Sequence, residues 1–94
     1  MVGMKHMGFT LFKSKQYLKD EKAYKPEIGK RLTKMEERLE EDPVTETASI
    51  TRLTDHEPPY RYRIGDFRIF YDVDLLALSV NLAYIKPRSQ AYKK

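Results

Sequence analysis

Hydrophobic and polar residues alternate strictly over two adjoining stretches, Tyr60-Arg61-Tyr62-Arg63-Ile64 and Phe67-Arg68-Ile69-Phe70-Tyr71. A period of two marks a half-buried strand. Gly65-Asp66 between them is a two-residue turn, so the pattern predicts a β-hairpin. Alternation puts Tyr60, Tyr62, Ile64, Phe67, Ile69 and Tyr71 on one face. The other face carries Arg61, Arg63 and Arg68, with Phe70 and Asp72 beyond them. A two-residue turn pairs Ile64 with Phe67 and therefore Arg63 with Arg68. Like charges directly opposite each other destabilise a sheet. Three guanidinium groups kept on one face point to an anion held there. The competing account is a solvated strand face, with Glu46, Asp66 or Asp72 as ion-pair partners. Phe70 has two readings: a ring that stacks a nucleobase, or a ring packed under the C-terminal tail. The second is the expectation.

Gly8-Phe9-Thr10-Leu11-Phe12 predicts a short first strand. Ser14 suits the N-cap of a helix from Lys15 to about Lys22–Tyr24. Pro26 suits the first turn of a second helix. There Ile28, Leu32, Met35 and Leu39 form an apolar stripe, and Pro43 stops it. The acidic run from Glu36 to Asp42 reads as a solvated helix end. Residues 44–58 are Thr-rich and bounded by prolines, with a short candidate strand at Ser49–Leu53. Asp74-Leu75-Leu76 reads as a turn. Ala77 to Ile85 predicts a strand with Leu78, Val80, Leu82 and Tyr84 on one side. Pro87 ends it. The order β-α-α-β-β-β gives an α+β domain, two N-terminal helices packed on one face of a small antiparallel sheet. The expected division is a single domain over 8–94, with 1–7 a disordered leader or an artificial remnant.

Composition narrows the classes. Of 94 residues, 34% are charged and seven Tyr and four Phe are present, which argues against a disordered chain. The formal charge is +4 and the isoelectric point about 9.3, a balance that suits a polyanionic partner. Cysteine is absent, which excludes disulfides, thiolate metal sites and a thiol nucleophile. No apolar run approaches the roughly 18 residues of a membrane span. His6 and His56 are the only histidines. His56, in Asp55-His56-Glu57-Pro58-Pro59, reads as part of a solvated loop. No phosphate-cradling glycine loop, nucleophile elbow or metal-ligand spacing occurs.

The stretch Tyr60 to Tyr71, together with Lys86-Pro87-Arg88 and Ala91-Tyr92-Lys93, resembles the RelE/ParE toxin superfamily, most closely its archaeal RelE branch. The resemblance spans about residues 9–93. It implies the RelE-like fold and a toxin of a type II toxin–antitoxin system. The implied activity is that of a metal-independent mRNA interferase, a ribosome-dependent endoribonuclease without cofactor. It cuts the A-site codon by attack of a ribose 2′-hydroxyl on its own 3′-phosphate. The implied catalytic positions are Arg68, Arg88 and Tyr92. Arg61, Arg63, Lys86 and Lys93 are the implied RNA-phosphate contacts. Implied partners are a RelB-like antitoxin, the ribosome and mRNA, in the cytoplasm and without a membrane. Where RelE-type enzymes tend to offer lysine as a base, this chain has Arg61 and Arg63, and guanidinium does not give up its proton. Asp72, Tyr71, Tyr92 or a ribosomal group remain for that role. The alternatives are a ParE-like gyrase inhibitor and a weakly active or inactive RelE-fold binding protein.

Overall fold

A computed structural model describes residues 8–88. The leader at 1–7, Tyr92 and Lys93 lie outside the described residues. Strand β1 (Thr10–Lys13) leads into helix α1 (Lys15–Glu41), followed by β2 (Ile50–Arg52), β3 (Tyr60–Ile64), β4 (Phe67–Asp74) and β5 (Ser79–Pro87). The sheet order is β1-β5-β4-β3-β2. β1 runs parallel to β5 and every other pair is antiparallel, so the sheet is mixed rather than antiparallel. The reason is topological. The chain leaves β1, crosses the helical layer to the far edge at β2, and meanders back until β5 lies beside β1.

One unbroken helical run stands where two helices are expected. Ser14 caps it, its hydroxyl accepting from Tyr17 N at 2.9 Å. The run is nonetheless bent. A straight helix would set Tyr17 and Glu36 roughly 28 Å apart at about 1.5 Å per residue. Instead Tyr17 Oη lies 3.3 Å from Glu36 Oε2, and Phe9 N donates to Glu40 O at 2.7 Å. The chain therefore doubles back within α1. Pro26, which has no N–H to give the helix, is the residue that permits it. Lys13 ties the two arms together, with Nζ 3.1 Å from Glu21 and 3.2 Å from Glu36. Partial burial alone would lower the Lys13 pKa, but the two carboxylates outweigh it and hold the ammonium charged.

The apolar stripe Ile28, Leu32, Met35 and Leu39 packs with Tyr17 on the sheet. Facing it are Ile50, Ile64, Phe67, Ile69, Tyr71, Val80, Leu82 and Ile85. Each such side chain, fully buried, contributes roughly 1.5–3 kcal/mol. Tyr71 is fully buried and its hydroxyl donates to Pro43 O at 2.8 Å.

The last strand differs from its expected form in two ways. It spans Ser79–Pro87, and the turn lies later than Asp74, which closes β4. Leu78 takes φ 53° in that turn and is exposed, so it leaves the apolar stripe. The register then shifts: Tyr71 pairs with Leu82 but Phe70 with Tyr84, which leaves Ala83 as a bulge. One extra residue reverses the alternation. Val80 and Leu82 face the helix, whereas Tyr84, expected beside them, faces the opposite side. The start of α1 satisfies the bulge backbone. Ser14 Oγ donates to Ala83 O at 2.6 Å, and Asp20 accepts from Ile85 N at 2.9 Å.

Candidate nucleic-acid interface

The hairpin forms as its alternation predicts, with Ile64 opposite Phe67 and Arg63 opposite Arg68. Gly65 takes φ 55° and Asp66 does not take a positive φ, as a type II′ turn requires. A side chain at Gly65 would also press on Arg31, whose Nη1 would lie 3.1 Å from an added Cβ. The helical layer thus brings a further cation to the turn, one the sequence did not single out.

Across the open face a row of three cations runs over three strands, because Arg68 faces Arg63 on one side and Lys86 on the other. Arg63 donates its backbone N–H toward the β2 side, to Ser49 O. Arg63 and Arg68 are therefore a non-hydrogen-bonded pair, the closer of the two antiparallel spacings. Arg68 is only 5% exposed. Its Nη1 donates to Gly65 O at 2.8 Å and to Phe67 O at 3.0 Å, which holds the guanidinium at the hairpin turn. Arg88 N donates to Asp66 O, so the residue after β5 is fastened to the same turn. Arg68 and Arg88 are thereby brought together, with Arg63 and Lys86 exposed beside them. Arg61 is one row further along, opposite Phe70.

Two of the carboxylates expected to form ion pairs on this face, Glu46 and Asp72, are engaged elsewhere. Among the described residues neither Arg61 nor Arg63 has an ion pair. Glu46 instead accepts from Arg52 N, and Asp72 from Val73 N. The candidates for a base fare unevenly. Tyr71 lies on the helix side, and burial pushes its hydroxyl pKa well up, so it is no base for this face. Asp72 shares the face but is four residues from Arg68, about 13 Å along an extended strand. Tyr92 lies outside the described residues. Among the described residues no cluster of His, Cys, Asp or Glu is set to hold a metal, and no helix is long and apolar enough to cross a membrane.

Phe70 is not an exposed platform, and the tail expected to cover it lies, beyond Arg88, outside the described residues. The Phe70 side chain is 6% exposed and lies between two rings, Tyr84 at 4.9 Å and His56 at 5.4 Å, both stacked on it. Lys86 Nζ sits 5.5 Å from the Tyr84 ring, a cation–π contact. Sequence reasoning missed His56 here. In the fold Leu53 N donates to Pro59 O at 2.6 Å, so the loop closes on itself. Nothing in the sequence says over which face such a loop folds.

A scan against protein-family models finds no match, and a search of curated proteins finds none. Solved structures do match. The archaeal RelE–RelB complex from Pyrococcus horikoshii OT3 contains a chain 23% identical, with a TM-score of 0.72, over 89% of this chain and 99% of that one. The fold is RelE-like. The toxin–antitoxin complex RelBE2 from Mycobacterium tuberculosis matches at 18% identity and a TM-score of 0.71, over 87% of this chain and 100% of that one. The RelB–RelE antitoxin–toxin complex from Methanococcus jannaschii matches at 21% and 0.69, over 86% and 94%. These RelE-like matches rest on shape, since each shares fewer than a quarter of its residues with this chain.

Proposed function

We propose that this chain is the toxin of a type II toxin–antitoxin pair, a cytoplasmic endoribonuclease that cuts mRNA in the ribosomal A site and arrests translation. The observation that carries the reading is the Arg63–Arg68–Lys86 row, with Arg88 fastened to the same turn, on a RelE-like sheet. In the proposed chemistry a ribose 2′-oxygen attacks the adjacent phosphorus and the bond to the 5′-oxygen breaks. The products are a 2′,3′-cyclic phosphate and a 5′-hydroxyl. Charge grows on the phosphate oxygens in the transition state, and fixed guanidinium groups stabilise it without a metal. Arg68, held by turn carbonyls, and Arg88 take that role. Arg61, Arg63, Lys86 and Lys93 position the RNA backbone, and Tyr92 stacks on a base or moves a proton. A RelB-like antitoxin, as in the matched complexes, would silence the site by covering this face.

Primer extension on a reporter mRNA, with and without ribosomes, tests the reading. Cuts at A-site codons that need ribosomes are expected. Inhibition of gyrase supercoiling with intact mRNA would instead favour a ParE-like poison. Intact mRNA and unaffected gyrase would leave only a binding protein.

A further inference from the structure

Cleavage needs a group to accept the 2′-hydroxyl proton, and among the described residues the phosphate-holding arginines do not supply it. Arg61, Arg63 and Arg68 cannot give up a proton, Lys86 is engaged as a cation on the Tyr84 ring, and Tyr71 and Asp72 are misplaced. Among the described residues His56 is the one imidazole on the open face. It comes from a loop distant in sequence and stacks on Phe70, with ring centroids 5.4 Å apart and planes 26° apart. Phe70 follows Arg68 by two residues on that face, about 7 Å along the strand. His56 Nδ1 lies 2.7 Å from Pro58 O. A carbonyl oxygen only accepts, so Nδ1 carries the proton in this contact, and in the neutral ring the lone pair is on Nε2. A backbone carbonyl that fixes the tautomer and a ring that fixes the plane are what a positioned base needs. The residue is exposed, and so reachable by a ligand. The groups around it are Asp55 and Glu57 of its own loop, Arg61 opposite Phe70, and Tyr84 stacked on the far side of Phe70.

We propose that His56 is the general base of the cleavage reaction, an inference that rests on the ribonuclease reading above. Nε2 takes the proton of the 2′-hydroxyl as the 2′-oxygen bonds to phosphorus. The bond from phosphorus to the 5′-oxygen breaks, and that oxygen takes a proton from water. The imidazolium then returns its proton to solvent, so the overall reaction consumes nothing. Arg68 and Arg88 hold the phosphate while His56 addresses the ribose from the Phe70 side.

The test uses the full chain in excess over ribosomes programmed with a reporter mRNA, read as single-turnover cleavage. His56→Asn keeps an N–H for the Pro58 carbonyl and removes the base. It is expected to cut 10²–10⁴-fold more slowly than the parent, while co-sedimenting with ribosomes as the parent does. His56→Ala should be equally slow and regain cutting on addition of free imidazole. If the parent cuts and His56→Asn stays within about threefold of it, His56 is not the base and the ribonuclease reading stands. Slow cutting with matching loss of co-sedimentation and no imidazole rescue also overturns the role. A parent that never cuts overturns both readings together.

Discussion

Replacing Arg63 by glutamate should make the protein more stable and less active at once. Arg63 is exposed, has no ion pair among the described residues, and stands opposite the buried Arg68 at the closer antiparallel spacing. With the charges about 7 Å apart and an effective dielectric constant of about 40, the repulsion is on the order of 1 kcal/mol. A carboxylate at 63 exchanges that for an attraction of similar size. The weaker strand preference of glutamate offsets about 0.5 kcal/mol. The net gain is about 1.5 kcal/mol, or roughly 6–12 °C in Tm for a domain of this size. Thermal unfolding followed by circular dichroism at low salt reads it. In 1 M salt the Debye length falls to about 3 Å, so the gain should largely vanish. Cutting should fall at the same time, because one backbone-positioning cation has become an anion. An Arg63→Glu protein no more stable than the parent at low salt, or with a gain that ignores salt, would refute the like-charge account of this face.

Three further outcomes are expected. Arg68→Ala and Arg88→Ala should each slow ribosome-dependent cutting by at least about 10²-fold, the scale of removing a preorganised donor from a developing oxyanion; parental rates in both would remove these residues from the site. Tyr71→Phe deletes the buried bond to Pro43 O and should cost about 1–2 kcal/mol in urea unfolding, with an unchanged m-value. Burial, with neighbouring charges, raises the pKa of both Tyr17 and Tyr71 above the usual 10.0. A raised folded pKa means that the unfolded chain loses these protons first, so stability is intact below pH 10 and falls above it. The two tyrosines together give a slope of roughly 3 kcal/mol per pH unit there, and flat stability from pH 9 to 11 would contradict it.

The parts that were legible in the sequence are those set by local rules, and the parts that were not depend on a single inserted residue or a distant contact. The hairpin register followed from strict alternation around Gly65-Asp66, and with it the Arg63–Arg68 opposition. Lys86 joined that row only because β5 lies beside β4 in one particular register. Tyr84 shows the cost of reading alternation through a bulge. The run Leu78, Val80, Leu82, Tyr84 looks like one apolar stripe, but Leu78 turns out at φ 53° and Ala83 reverses the rest. Pro26 suits the first turn of a helix, which is why the sequence predicts a start there. The same missing N–H instead lets one helical run bend until Tyr17 meets Glu36. The bulge has the larger functional consequence. Were the same residues paired in regular alternation with no bulge, Tyr84 would enter the helix-packed core and Lys86 would follow it, leaving Phe70 without its stacked neighbour and Arg68 without the third cation of the row. A bulge is a common device for re-aiming side chains beside a site. Here it converts an ordinary core strand into one whose last turn of sequence serves the open face, next to the cations the hairpin already supplies.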